Sequence, residues 1–219
     1  MKRDLTELVF ILDRSGSMNG LEGDTIGGFN SLLKKQKQEK GSALVTTVLF
    51  DDAYELLHDR ISINGIDPIT TGDYYVRGTT ALLDAVGRTI QKIVNVQRHT
   101  STDEQAENVI FVIITDGMEN ASREYSYDRV RKMINYQKAE YGWEFIFLGA
   151  NIDAAETARQ FGISRDRASN YNPDGEGTRL NYQVLSDTVS MKRARKVIDD
   201  DWKDRIDKDY KQRKKDNKF

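Results

Sequence analysis

The chain has 219 residues, enough for one well-filled α/β domain and short for two. Hydrophobic residues make up 38% of it and charged residues 31%, and the net charge of −2 provides no overall attraction to nucleic acid or to an anionic membrane. The sequence contains no cysteine, which excludes disulfides, thiolate zinc sites and cysteine nucleophiles.

The first half of the chain alternates apolar runs with amphipathic segments. Ile26, Phe29, Leu32 and Leu33 recur at helical spacing, whereas the run from Leu8 to Leu12 is uninterrupted and is typical of a strand buried on both faces. The elements predicted here are strands at 6–13, 43–50 and 54–63, helices at 22–37 and 81–96, and a long loop at 62–79. The charged residues of the third strand fit an antiparallel edge position.

The second half repeats the alternation. The run from Phe111 to Thr115 is a second uninterrupted apolar strand, and Val130, Met133 and Ile134 share one face of a helix. The predicted elements are strands at 109–115 and 144–148, a weak edge strand at 168–171, and helices at 127–140, at 154–161 and from about 178 to beyond 198. Together the two halves predict an α/β fold, with a doubly wound, mostly parallel sheet, one antiparallel edge strand and helices on both faces.

A polar motif follows the first buried strand directly. Asp13, Ser15 and Ser17 stand at alternate positions, and Gly16 lets the backbone turn tightly between the serines. Three oxygens around a small volume suit a hard divalent cation such as Mg²⁺, which prefers six oxygen ligands including water. By itself this loop is equally typical of a capped turn, because Asp and Ser bond readily to nearby amides.

Two later segments supply further oxygens. Thr80 lies on a loop after Gly78, just ahead of an amphipathic helix, and Asp116 follows the second buried strand. The strands that end in Asp13 and Asp116 flank the expected switch point of the sheet, where open α/β sheets bind ligands. In its order and placement this pattern resembles the metal-ion-dependent adhesion site of the von Willebrand factor type A family, and the resemblance covers residues 5 to about 198.

The resemblance implies roles for these five residues. Ser15, Ser17 and Thr80 would be direct metal ligands, while Asp13 and Asp116 would act through water and orient the hydroxyls. The expected cation is Mg²⁺, with Mn²⁺ and Ca²⁺ as the other cations considered. The expected partner is a protein that presents an Asp or Glu carboxylate to complete the coordination, so the predicted function is a divalent-metal-dependent protein-binding module.

Several neighbouring residues allow two interpretations. Thr79 competes with Thr80 as a ligand, although Thr80 aligns better because Ala-Leu-Leu-Asp follows it. Glu119 is either a solvated loop residue or an internal ligand that can occupy the open metal position. Asp51 and Asp52 belong to a polar hairpin turn or border the site. Tyr74, Tyr75 and Arg77 either pack within their loop or contact a partner.

Catalysis is the alternative function. A metal-dependent phosphoester hydrolase using the same site would need an acid two residues after the nucleophilic Asp, where this chain has Ser15. His58 and His99 are the only histidines, and neither is an evident partner for the serines. We therefore favour binding over an enzyme.

The C-terminal segment is highly charged. We predict a domain at 1–198 followed by a charged helical tail at 199–219, solvated and frayed, with a tail-dependent nucleic-acid or structural role as a third hypothesis. Interspersed aspartates argue against strong phosphate binding by this tail. The acidic residues near the N-terminus interrupt any export signal and the apolar runs are too short to span a bilayer, which predicts a cytoplasmic protein with no membrane partner.

Overall fold

A mostly parallel β-sheet with helices on both faces forms the framework of the molecule. The computed structural model describes residues 1–216, and within them the strands are β1 (Lys2–Asp13), β2 (Ser42–Phe50), β3 (Tyr54–Ser62), β4 (Ala106–Thr115), β5 (Glu144–Gly149) and β6 (Ala168–Asn170). The α-helices in the same range are α1 (Glu22–Gln36), α2 (Leu82–His99), α3 (Tyr127–Tyr141), α4 (Ala154–Phe161), α5 (Gly175–Arg193) and α6 (Asp204–Asp216). The strand order is β3-β2-β1-β4-β5-β6, and β3 is the antiparallel edge strand. The predicted fold class is confirmed.

The central strand β1 divides the core into two layers because its side chains alternate between the faces. Phe10 packs with Phe29 of α1 in the layer that also holds α5 and α6, with the two rings edge to face and their centroids 5.2 Å apart. Val9 and Ile11 point into the opposite layer, which α2, α3 and α4 cover. Burial on both faces explains why this strand is an uninterrupted apolar run.

The switch point lies where the sequence pattern predicts it. β1 pairs in parallel with β2 on one side and with β4 on the other, so that Asp13 is opposite Phe50 and Leu12 is opposite Ile114. The chain crosses from the β2 side of β1 to the β4 side through α2. The carboxyl ends of β1 and β4 are therefore neighbours at one edge of the sheet, and the loops that follow them meet there.

The last predicted helix is wrong in its extent. It ends at Arg193 rather than beyond Ile198, and Arg195 takes a left-handed backbone with φ of 60°. The Arg193 guanidinium donates to the carbonyls of Gln36 and Gly41, and Arg195 pairs with Glu107. The chain turns at this point and does not continue as a straight helix. The turn instead returns Ile198 to the core, where it is buried.

The segment after Asp199 also differs from the expected solvated helix. After a short 3₁₀ turn, α6 packs on the domain through Ile206, which is buried in the same core layer as Phe10. Trp202 donates from its indole nitrogen to the Asp166 carbonyl at 2.7 Å, and Asp207 accepts from the Ser169 hydroxyl at 2.6 Å. Asp204, Arg205 and Lys208 are exposed to solvent, whereas Asp207 faces the domain. No helix between residues 1 and 216 combines the length and apolar character needed to cross a membrane.

Candidate metal centre

The loop after β1 folds back on itself through the carboxylate of Asp13. This side chain is 1% exposed, and its Oδ1 accepts from the Ser15 amide at 2.7 Å. A 3₁₀ turn over Gly16–Met18 then brings the Ser15 and Ser17 hydroxyls within 3.1 Å of each other. The first two hydroxyls of the predicted site therefore share one side of the loop.

Gly117 marks the point at which all three predicted hydroxyls converge. A methyl group placed on its Cα would lie 2.7 Å from Thr80 Oγ1, 3.0 Å from Ser17 Oγ and 3.5 Å from Ser15 Oγ. The three oxygens come from two loops that are distant in sequence, and they surround one small space. We call Ser15, Ser17 and Thr80 the hydroxyl cluster.

The two carboxylates differ in how they are held. Asp13 Oδ2 accepts from the Thr115 hydroxyl at 2.5 Å, and burial raises the pKa of Asp13 against the opposing hydrogen bonds from Ser15 and Thr115. Both oxygens of Asp116 are buried and have no hydrogen-bond partner. Burial raises the pKa of Asp116 to about 6, the nearby Ser17 hydroxyl opposes the rise, and the Asp13 charge adds to it. An unpartnered buried carboxylate costs free energy unless a cation or proton balances it.

These observations fit an oxygen-liganded divalent cation. The space above Gly117 is small and lined by oxygens, and the adjacent Asp116 carboxylate is unpartnered. Hard cations such as Mg²⁺ and Mn²⁺ take such ligands, whereas zinc sites usually use His or Cys. Across residues 1–216 there is no group of three or more His, Cys, Asp or Glu side chains placed to hold a metal. A metal here would accordingly depend on hydroxyl ligands.

The two candidate threonines differ in burial and position. Thr80 is 3% exposed and its hydroxyl joins the cluster, while Thr79 is exposed. The Thr80 amide donates to Asn120 Oδ1 at 3.0 Å, and the Thr80 carbonyl accepts from the Asn120 amide at 3.0 Å. This reciprocal pair joins the Thr80 loop to the loop after β4, so that its hydroxyl is held next to Gly117.

Glu119 is held by hydrogen bonds at the start of α2. Its carboxylate is half-buried and accepts four hydrogen bonds, from the amides of Leu83, Ala121 and Ser122 and from the Ser122 hydroxyl, at 2.8–3.0 Å. One of these amides belongs to the first turn of α2, where backbone donors have no partner within the helix. Glu119 thus caps α2, and swinging towards the hydroxyl cluster would break all four bonds.

Sequence reasoning missed the role of Arg14 and left Asp51 as either a turn residue or a border of the site. Arg14 is fully buried, and its Nε donates to Asp51 Oδ2 at 2.9 Å. Arg77 donates from its own Nε to the same oxygen at 2.7 Å, and the Ala81 amide donates to the Asp51 carbonyl at 2.8 Å. Asp51 therefore connects the ends of β1 and β2 to the loop that carries Thr80. An arginine directly after a buried apolar strand was the available signal, because such a charge requires a partner.

The aromatic residues of the Thr80 loop have separate roles. Tyr74 is buried and donates from its hydroxyl to the Asp13 carbonyl at 2.5 Å, so it helps to hold the start of the loop after β1 in place. Tyr75 is 44% exposed and lies beside the guanidinium groups of Arg14 and Arg77. Of the three residues considered as partner contacts here, only Tyr75 and the half-exposed Arg77 side chain are accessible.

Comparison with known proteins gives structural matches only. No protein-family model matches the chain, and a comparison with curated proteins gives no match. A von Willebrand factor type A structure from Catenulispora acidiphila is similar with a TM-score of 0.55 at 12% identity, over 87% of this chain and 43% of that one. Proximal thread matrix protein 1 from the mussel byssus, with a zinc-occupied adhesion-site motif, gives 0.55 at 16% identity, over 86% and 46%. The manganese-loaded TRAP protein of Plasmodium vivax gives 0.51 at 21% identity, over 68% and 58%.

These likenesses establish the fold. The chain has a von Willebrand factor A-like α/β fold, as its motif order predicts. It spans about half the length of the proteins that it matches. Two of the similar structures hold a divalent metal, manganese in one and zinc in the other.

Proposed function

We propose that this domain binds a protein partner through a divalent cation. Ser15, Ser17 and Thr80 would hold the cation directly, and Asp13 and Asp116 would hold its waters and balance its charge. The partner would supply an Asp or Glu carboxylate. The observation that carries the proposal is the convergence of three hydroxyls on the space above Gly117, next to the unpartnered carboxylate of Asp116.

The chemistry of this oxygen set favours adhesion. Hydroxyl ligands are neutral, so they reduce the charge of a cation little, and the two aspartates balance it from further away. A cation held in this way stays attractive to an anionic ligand from another molecule. A carboxylate is the protein group that best meets this demand, because it is charged and accepts at two oxygens.

The choice of metal rests on the donor atoms. All-oxygen ligands with several waters suit Mg²⁺, and Mn²⁺ or Ca²⁺ accept the same ligands. The manganese and zinc in the similar structures support a divalent cation in general. The cytoplasmic location inferred from the sequence stays a prediction, and Mg²⁺ is the abundant hard cation in that compartment.

Adjacent threonines provide a matched test. Calorimetric titration with Mg²⁺ should give a binding isotherm for the unaltered protein and for Thr79→Ala, and none for Thr80→Ala or Ser17→Ala. A partner retained from lysate should be released by EDTA, and Thr80→Ala should fail to retain it. Absence of heat with Mg²⁺, Mn²⁺ and Ca²⁺ would refute the proposal, as would equal behaviour of the two threonine variants. Turnover of phosphoester substrates that is lost in Asp13→Ala would favour the hydrolase instead.

A further inference from the structure

Two exposed apolar side chains border the candidate metal centre. Met118 follows Gly117 directly and is 73% exposed, and Tyr75 is 44% exposed. We call these two residues the apolar rim. Large hydrophobic side chains with this exposure beside a binding site are typical of partner contacts, where Tyr and Met are enriched.

The two rim residues lie on opposite sides of the hydroxyl cluster. Met118 follows β4, whereas the Tyr75 ring lies near Arg14 at the end of β1, on the side of Asp51 at the end of β2. β1 lies between β2 and β4 in the sheet, so the loop that carries Ser15 and Ser17 lies between the loops that follow those two strands. The Arg77 amide donates to the Arg14 carbonyl at 2.9 Å and the Gly16 amide to the Gly78 carbonyl at 3.2 Å, which fixes the segment after Tyr75 against that loop.

Tyr75 is held in place although it is exposed. The guanidinium carbons of Arg14 and Arg77 each lie 5.4 Å from its ring centroid, and Arg77 Nη1 donates to its hydroxyl at 3.3 Å. Arg14 is itself fixed by Asp51. A side chain ordered before binding loses less entropy on association, which makes Tyr75 suited to be an anchor. Met118 is unbranched and adapts to the shape of what it contacts.

The charges on the Tyr75 side argue against a polyacidic partner. The two arginines there are matched by Asp51 and by Glu55, whose Oε2 lies 2.7 Å from Arg14 Nη1. Asp52 adds a further carboxylate close to Gly78. The Tyr75 side of this surface therefore offers a second carboxylate little net attraction, whereas Tyr75 and Met118 offer apolar side chains two places to pack.

We propose that the apolar rim selects partner segments in which the metal-binding Asp or Glu has apolar residues on both sides. This inference rests on the proposed function and adds the sequence that the partner must present. One neighbouring apolar side chain would pack on Tyr75 and the other on Met118. Met118 and Tyr75 are specificity residues that take no part in holding the cation.

Selection from a random peptide display library tests this directly. The library is captured on the full chain in Mg²⁺ and eluted with EDTA, and the eluted peptides are sequenced. The unaltered protein should enrich Asp or Glu with apolar residues on both flanks. Met118→Ser and Tyr75→Ala should each keep the acidic enrichment and lose the apolar preference on one flank, and the two variants should lose opposite flanks.

Two exposed apolar residues away from the candidate metal centre provide matched controls. Val197 is 74% exposed and Tyr141 is 55% exposed, and Val197→Ser and Tyr141→Ala should leave the enriched sequences unchanged. The best enriched peptide should bind Met118→Ser roughly tenfold more weakly by fluorescence polarisation. Calorimetry with Mg²⁺ confirms that each variant is folded and still binds the cation.

The possible failures are distinguishable. Acidic enrichment without any flanking preference, or identical profiles in the rim variants and their controls, would overturn this inference and leave the metal-dependent function standing. Peptides rich in several acidic residues would overturn it as well. A library that shows no EDTA-dependent acidic enrichment would overturn both the inference and the proposed function.

Discussion

Arg14 and Asp51 form a salt bridge in which both side chains are buried. The Nε–Oδ2 distance is 2.9 Å, and the two side chains are 0% and 1% exposed. Burial would raise the pKa of Asp51, but hydrogen bonds from Arg77, the Ala53 amide and Arg14 outweigh it and lower the pKa below its usual value. Because the pair joins the ends of neighbouring strands to the Thr80 loop, it sets the positions of both loops of the hydroxyl cluster.

Asp51→Asn should therefore destabilise the protein and weaken the site. Removing the Asp51 charge leaves buried Arg14 with only the half-exposed Glu55 as a counter-charge. We expect a loss of about 3 kcal/mol in the free energy of unfolding at neutral pH. Urea denaturation measures the loss. Asp52→Asn is the matched control, because Asp52 is next to Asp51 in sequence and its carboxylate is exposed. This substitution should change the free energy of unfolding by less than about 0.5 kcal/mol.

Acid should reduce the difference between the unaltered protein and Asp51→Asn. A carboxyl whose pKa is lowered by folding stabilises the folded state above its unfolded pKa of about 3.9, and this contribution is lost as the pH falls through the lower folded value. Denaturation curves of both proteins across this acidic range provide the measurement. A difference that stays constant would show that the charge of Asp51 does not stabilise the fold.

Gly117→Ala should strongly weaken cation binding while the protein stays folded. The added methyl group would occupy the space that the hydroxyl cluster surrounds, 2.7 Å from Thr80 Oγ1, and hydroxyl groups can move aside at small cost. We expect the Mg²⁺ affinity to fall by roughly a hundredfold or more, by calorimetry. Retained affinity would mean that a cation, if bound, lies elsewhere.

Gly27→Ala is the control for that substitution and a prediction in its own right. Gly27 lies within α1, and a methyl group on its Cα would meet nothing within 4 Å. Alanine in an exposed helix interior should stabilise the protein by up to about 1 kcal/mol, because it restricts the unfolded chain. Thermal denaturation should show the gain, with Mg²⁺ affinity unchanged. A loss of stability would indicate that α1 needs this glycine for a reason outside local packing.

Asp116→Asn should raise stability in the absence of metal and remove the stabilisation by Mg²⁺. In EDTA the buried, unpartnered carboxylate opposes folding, so its neutral amide should raise the free energy of unfolding by about 1–3 kcal/mol. In Mg²⁺ the unaltered protein should gain stability through binding, and the variant should not. Urea curves in EDTA and in Mg²⁺ test both statements. A variant that is less stable in EDTA would show that the carboxylate has a structural partner.

Ile206→Ala tests whether α6 belongs to the folded unit. Ile206 is 1% exposed within the core layer of α1 and α5, and its truncation should lower the free energy of unfolding by about 3 kcal/mol. Lys211→Ala on the exposed face of the same helix should have little effect. Equal stability of the two variants would support the boundary at residue 198 that the composition suggests.

The elements whose positions follow from local pattern were predictable from sequence. The apolar run before Asp13 is buried on both faces in any arrangement that covers a parallel sheet, and the motif after it turns through its own backbone contacts. The end of α5 was not predictable in this way, since helical spacing continues to Ile198 and Trp202. What stops the helix is the set of contacts that Arg193 makes with the carbonyls of Gln36 and Gly41, far away along the chain.

The sequence by itself determined the sheet, the order of its strands around the switch point and the candidate oxygens at their ends. These features follow from the local pattern of apolar and polar residues. Only the tertiary structure showed that the hydroxyl of Thr80, and not that of Thr79, lies beside Ser15 and Ser17. It also placed the Glu119 carboxylate against the first turn of α2 and Asp51 between Arg14 and Arg77. Each of these outcomes depends on atoms that are distant in sequence and close in space. A carboxylate accepts hydrogen bonds from whichever donors the fold brings close to it, so residue type alone does not predict its partners.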